Sequence, residues 1–195
     1  MGMTGASGTV YAVAVLRELL KSSEVHLTIS MYALQVIMAE TGLDWSGADE
    51  QAVQSRIREY FGSERLFVWA SHRMDAPISS GSFQTDGMLV VPCSMKTLAG
   101  ISSGYADTLL QRAADVTLKE GRPLLLSPRE MPLSALHLEN MLKLARLGVK
   151  IVPPMPGFYH RPESLDDIVN FVAGKILDAM GIGHDLFRRW EGLPS

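Results

Sequence analysis

Thr4-Gly5-Ala6-Ser7-Gly8, close to the start of the chain, has the residue types of an anion-binding turn and runs directly into a stretch of helical period. Glycines let a backbone approach a phosphate, and a helix N-terminus adds free N–H groups and a positive dipole end. An ordinary tight turn without a ligand is the alternative. A nicotinamide fingerprint fits poorly, because Tyr11 takes the place of the third glycine and the second strand ends at Ser30 instead of Asp or Glu. No Tyr-x-x-x-Lys pair exists to act as a dehydrogenase base. A nucleophile elbow is excluded too, since Gly-x-Ser-x-Gly needs glycine where Thr9 stands.

Further groups follow apolar runs of strand length. Ser79-Ser80-Gly81-Ser82 and Pro92-Cys93-Ser94-Met95-Lys96-Thr97 bracket one such run, and their hydroxyls and amides suit a phosphate or a heteroaromatic edge. Loop and cap chemistry explains either segment taken alone. Cys93 reads as a buried thiol, not a nucleophile. Arg112, Asp115 and Lys119 share one helix face, which a solvated charged face also explains. Arg129-Glu130 stands at the end of a Leu-rich strand, where a charged pair needs a partner or a ligand. Prolines 153, 154 and 156 stiffen a loop that presents Phe158, Tyr159 and His160. The five histidines lack metal-ligand spacing, and His137 and Glu139 point to different helix faces.

These side chains require elements to hold them. Val10 to Leu20, Met31 to Glu40, Asp107 to Lys119 and Ser134 to Leu147 carry helical periodicity, the third capped by Asp107 and the last stopped by Gly148. Val25–Ile29, Leu89–Val91, Leu124–Leu126 and Val149–Val152 read as strands, the apolar ones covered on both faces. Ser164-Leu165-Asp166-Asp167 reads as a capping box for a last helix whose apolar positions are 165, 168, 169, 172 and 176. The alternation predicts one α/β domain over residues 1–195, a doubly wound, mainly parallel sheet of three layers in the Rossmann or flavodoxin manner. Residues 42–87 are the least regular, and the segment from about 181 to 195 is expected to pack late or against a neighbouring subunit. Only Met1-Gly2-Met3 precede the glycine-rich turn, so the first strand is expected to be cut short.

Composition narrows the classes. The 195 residues are 47% hydrophobic and 20% charged, with 18 basic against 21 acidic side chains. That balance excludes disorder and gives no general pull toward nucleic acid or anionic membrane. One cysteine excludes an intrachain disulfide framework, and no apolar run reaches the ~18 residues of a membrane span. A cytoplasmic protein is the default. The apolar excess, with 11 Met, hints at buried subunit contacts.

Read together and in order, these segments resemble the UbiX-type flavin prenyltransferases, including those described as small subunits of hydroxyarylic acid decarboxylase systems. The resemblance runs from Thr4-Gly5-Ala6-Ser7-Gly8 through Ser80-Gly81-Ser82, the stretch from Pro92 to Gly100, Arg112-Ala113-Ala114-Asp115-Val116 and Leu118-Lys119-Glu120. It continues through Pro128-Arg129-Glu130, His137 to Leu142 and Gly157-Phe158-Tyr159-His160 to Arg189-Trp190. It implies transfer of a dimethylallyl group from dimethylallyl monophosphate to N5 and C6 of reduced FMN, without a metal ion, in a dodecamer. The prenylated FMN would serve a UbiD-type decarboxylase. By resemblance Gly5, Ala6, Ser7, Ser30, Ser80, Ser94, Met95, Lys96, Thr97 and Arg129 contact FMN, with Arg112 assisting. Lys119, Arg129, Glu130, Tyr159 and Lys175 would surround the prenyl phosphate. Ser7 and Glu130 are candidates for moving the flavin's proton, and Glu40 matches a further acidic position. Two departures stand out. The family often has arginine in place of Lys175, whose lysine keeps the charge without the bidentate fork, and some members have tryptophan in place of Met74. A non-catalytic FMN-delivery subunit is the rival reading. The related cysteine-decarboxylase flavoproteins are a weaker one, since their Pro-x-Met-Asn signature is absent.

Overall fold

The middle layer is, among the described residues, a sheet of six strands: β1 (Gly2–Met3), β2 (Val25–Ile29), β3 (Leu66–Ala70), β4 (Met88–Cys93), β5 (Leu124–Pro128) and β6 (Lys150–Ile151). The structure, a computed structural model, describes residues 1–190 and 192. Every paired strand is parallel to its neighbour, in the order β3-β2-β1-β4-β5-β6. Winding reverses between β1 and β4, and open α/β sheets bind ligands at such a reversal, beyond the carboxyl ends of the strands. Among the described residues seven α-helices cover the faces: α1 (Thr9–Ser22), α2 (Met31–Thr41), α3 (Glu50–Phe61), α4 (Met95–Ser103), α5 (Leu109–Lys119), α6 (Ala135–Arg146) and α7 (Leu165–Met180). The doubly wound expectation holds.

Period-two alternation explains the continuously apolar strands. Leu89, Val91 and Leu125 face a core shared with α1 and α7, while Met88, Val90, Leu124 and Leu126 face a second core under α4 and α5. Both faces of β4 and β5 are covered, so every position is apolar.

Several boundaries differ from the sequence expectations. Thr108, not Asp107, caps α5, its hydroxyl accepting from the amide of Gln111. The last strand shrinks to Lys150–Ile151 before Pro153. The Ser164–Asp167 capping box forms, but Leu165 is exposed and the buried face of α7 runs through Phe171, Val172, Ala173, Ile176 and Leu177. Within residues 42–87 the chain is more regular than expected. Asp49 caps α3, which buries only Ile57 fully and therefore carries little hydrophobic periodicity, and β3 follows.

The described part of the C-terminal segment lies on its own chain's α7. Asp178 meets the His184 ring at 3.2 Å and the Arg189 guanidinium at 2.5 Å, and Phe187 packs on Phe171. Gly174 has no side chain because one would overlap Phe187 and His184. Residues 191 and 193–195 of that segment lie outside the described residues. The apolar excess is partly visible as exposure, with Met131, Leu136, Leu138 and Leu142 around α6 turned outward. Among the described residues no helix is long and apolar enough to cross a membrane.

Candidate functional site

The carboxyl ends of β1, β2, β4 and β5 meet at the winding reversal, and backbone bonds join them. Ser30 N donates to Met3 O at 3.0 Å, Thr4 N to Pro92 O at 3.2 Å and Arg129 N to Cys93 O at 3.2 Å. Thr4 is the clasp. Its hydroxyl donates to Pro92 O at 2.8 Å and accepts from Ser94 N at 2.7 Å, and the residue is 2% exposed. This ties the Gly5–Ser7 turn to the Ser94 turn across the reversal. The strand-end neighbourhood therefore brings together Gly5, Ala6, Ser7, Ser30, Ser94, Met95, Lys96, Thr97, Arg129 and Glu130. Thr4 was visible in the sequence only as part of the glycine-rich turn.

The N-terminus of α1 is not open to a phosphate. The Glu40 carboxylate, arriving from the end of α2, accepts from Gly8 N at 3.0 and 3.1 Å and from Thr9 N at 2.9 Å. Burial pushes its pKa up, but hydrogen bonds from the Ser7 hydroxyl, the Thr9 and Gly8 amides and the Thr9 hydroxyl outweigh that and hold it below the ordinary value. A fixed anion thus occupies the dipole end that the glycine-rich turn suggested for a ligand. Gly8 has φ 116°, a left-handed conformation that glycine adopts freely and that turns its amide toward Glu40. Gly5 leaves no room for a side chain either, since a Cβ would come 2.9 Å from Tyr32 Cβ.

The second helix N-terminus at the reversal belongs to α4, an element the sequence reading took for loop. Ser94 caps it, its hydroxyl accepting from Thr97 N and donating to Thr97 Oγ1 at 3.1 Å. The amides of Met95 and Lys96 lie in the first turn, where helix geometry supplies no acceptor. Two amides, two hydroxyls and the exposed Lys96 make a donor set suited to a phosphate. FMN fits here by its phosphate, with the Gly5–Ser7 turn and Ser30 beside it. Arg129 and Glu130 are exposed on the β5 side, and Glu130 accepts from Met131 N at 3.0 Å.

Other candidates lie elsewhere. Helix α5 starts at the reversal end, where Leu109 N donates to Ser71 O beyond β3, and runs back toward the start of β5. Lys119 therefore lies about 10 Å along the axis from Arg112, near the opposite edge of the sheet. There it pairs with Glu120 beside Gly81. Arg112 donates to Ser79 O at 3.0 Å and pairs with Asp115 at 2.8 Å, while Arg122 donates to Gly81 O at 2.7 Å and Phe83 O at 2.8 Å. Ser80 belongs to this second cluster, its hydroxyl 2.9 Å from that of Ser82. Within one chain Ser80 and Lys119 are thus not brought to Arg129 and Glu130. Tyr159 follows β6, packs edge-on against Phe171 and Trp190 and is otherwise exposed. His160 stacks on Phe171 at 4.6 Å, with both ring nitrogens buried and unpartnered. Lys175 is exposed, ten residues into α7, and Met74 is exposed. Cys93 is fully buried and its thiol is pushed up to about 12, so it is inert. Among the described residues no three His, Cys, Asp or Glu side chains group to hold a metal ion.

A reversal-point cradle with donors suited to a phosphate is the site of a ligand-binding α/β protein, and the family described as Flavoprotein matches residues 1–177. A probable UbiX-like flavin prenyltransferase from Escherichia coli O157:H7 is 52% identical over 197 residues, which cover 100% of this chain and 93% of the relative. The crystal structure of a dodecameric FMN-dependent UbiX-like decarboxylase from the same organism superposes with TM-score 0.85 at 50% identity, covering 98% of this chain and 97% of that one. AnUbiX (PadA1), solved with FMN and dimethylallyl pyrophosphate, superposes with TM-score 0.86 at 41% identity, covering 99% and 96%. The chain belongs to the Flavoprotein family and, within it, to the UbiX-like flavin prenyltransferases, as the sequence resemblance indicated.

Proposed function

We propose that this protein joins a dimethylallyl group, delivered as dimethylallyl monophosphate, to N5 and C6 of reduced FMN. The observation that carries the reading is the α4 phosphate seat clasped to the Ser7–Glu40 turn, in a chain 52% identical to a probable UbiX-like flavin prenyltransferase. FMN supplies the nucleophilic ring atoms, and the chain does the rest. Ser94, Thr97, Lys96 and the first-turn amides of α4 hold the FMN phosphate, with Gly5, Ala6 and Ser30 bordering the ring system. Loss of phosphate from an allylic carbon builds negative charge on the phosphate, which the Arg129 guanidinium and the Tyr159 hydroxyl stabilise. The Tyr159 face suits the allyl cation. Glu40, held below its ordinary pKa, positions the Ser7 hydroxyl, and Glu130, exposed at the end of β5, is the candidate for taking the proton that leaves the flavin.

Lys119 and Ser80, remote from this cradle in their own chain, act with Arg112 in the site of a neighbouring copy. Support comes from the exposed leucines around α6 and from the dodecameric state of the relative from E. coli. Lys175 adds charge for the prenyl phosphate under the same arrangement. The product passes to a UbiD-type decarboxylase, and the reaction runs in the cytoplasm. The deciding experiment is anaerobic incubation with reduced FMN and dimethylallyl monophosphate, then mass measurement of the extracted flavin. A gain of one C5H8 unit is expected. Bound FMN of unchanged mass overturns the enzyme reading in favour of flavin delivery. Glu130→Gln should retain FMN and lose most turnover.

A further inference from the structure

His26 stands outside the site described above, yet both of its ring nitrogens are committed. Trp69, on the neighbouring strand β3, donates its indole N–H to His26 Nδ1 at 3.0 Å, and the Glu24 carboxylate lies 3.0 Å from Nε2. An indole can only donate, so Nδ1 accepts and the ring proton sits on Nε2, facing Glu24. The imidazole and indole planes differ by 3°, as a bond between two ring edges requires. Phe67, the register partner of His26 on β3, stacks on the imidazole at 5.1 Å and 15°. Phe83 completes the cluster from the 79–83 loop, its ring meeting the imidazole at 5.0 Å and 70°. The Phe83 amide donates to Ser80 O at 3.3 Å. The residue that rests on His26 therefore also closes the turn that carries Ser80, Gly81 and Ser82. Arg112 and Arg122 hold this loop by its carbonyls, whereas Phe83 anchors it by a side chain.

We propose that His26 is a positioning residue for the prenyl transfer: it seats Phe83, and through it Ser80, as long as Nδ1 is free to accept from Trp69. This rests on the reading that Ser80 and Arg112 complete the site of a neighbouring copy. A proton added at Nδ1 sets donor against donor across 3.0 Å, so the imidazole leaves the indole plane and Phe83 loses its support. Imidazole is the side chain whose charge changes between pH 5 and 8. The loop is accordingly held at neutral and mildly alkaline pH and released in acid. Several charged groups surround the ring. Glu24 faces Nε2, and the Arg58 guanidinium of α3 stands 5.6 Å over the Phe67 ring. Asp86 and Arg122 border the recess that His26 lines. The Met1 amine, pushed down to about 5 by burial, bonds the His26 carbonyl and not the ring.

The test follows deuterium uptake by peptides spanning residues 79–84 at pH 8 and pH 6, with labelling times scaled to the intrinsic exchange rate. It is run beside kcat/KM for prenyl transfer to reduced FMN. On the scaled clock the wild-type loop should exchange at least about threefold faster at pH 6. Trp69→Phe removes the donor and keeps a ring, so its loop should exchange alike at both pH values. His26→Phe keeps a ring without an acceptor and should match acid wild type at both. The ratio of wild-type to Trp69→Phe kcat/KM should fall about threefold from pH 8 to pH 6, a ratio that cancels the pH dependence of the flavin itself. Wild-type uptake that ignores pH, or uptake that follows pH equally in Trp69→Phe, overturns the proposal. So does an activity ratio that stays constant while wild type prenylates FMN. A wild-type protein that prenylates nothing at either pH overturns the proposed function instead, and the uptake still decides whether His26 seats the loop.

Discussion

At the scale of single residues, the site depends on two side chains that never need to touch a ligand. Thr4 uses one hydroxyl to join two strand ends, and Thr4→Val keeps the shape and the Thr4 N–Pro92 O bond while stranding the Ser94 amide. Leaving buried polar groups unpaired costs about 1–3 kcal/mol, so urea unfolding should report a loss near 2 kcal/mol, with Thr4→Ser close to wild type. An unchanged midpoint in Thr4→Val would remove the clasp. Glu40 is the second. Its pKa is held down in the folded chain, so its contribution to stability is present above the ordinary glutamate value of 4.5 and is lost as pH falls through the lowered one. Glu40→Gln should cost about 1 kcal/mol at neutral pH, kept small by solvent screening of an exposed side chain. The gap between the two proteins should close in acid. A pH-independent difference would mean that the carboxylate charge plays no part.

At the scale of elements, Gly174 lets the C-terminal segment lie down on α7. Gly174→Val should lift it, exposing residues 182–190 to proteolysis and lowering stability by about 1–3 kcal/mol; unchanged cleavage would show that Phe187 and His184 are not seated there. Much of the layer architecture was legible in the sequence. Val25–Ile29 came out with its observed ends, because alternation and flanking polar residues agree there. Residues 50–61 hid their helix because only Ile57 is fully buried, and α4 hid because Ser94–Thr97 reads equally as a loop. The candidate site was legible by residue type and not by place. Spacing put Arg112 and Lys119 on one helix face, but only the direction of α5 across the sheet shows that Lys119 lies away from Arg129. Glu40 at the N-terminus of α1 was out of reach for a similar reason: that contact joins residues 32 apart through β2.

At the scale of the whole molecule, two clusters stand apart in each chain, and the proposed reaction needs both. Lys119→Ala and Glu130→Gln, each nearly inactive alone, should recover roughly a quarter of wild-type turnover when unfolded together and reassembled, as random mixing across a heterologous interface requires. No recovery would confine Lys119 to its own subunit or remove it from the reaction. The loop at 79–83 meets the rest of the chain in a way that bears on how such proteins diverge. Arg112 and Arg122 grip it by the carbonyls of Ser79, Gly81 and Phe83, a group that every amino acid carries. The grip is therefore blind to most side chains in the loop. The grip itself would tolerate new letters there, so what holds Ser80 and Gly81 in place is the proposed site and the close approach of Lys119 and Glu120, while a change at either arginine lets go of the backbone itself.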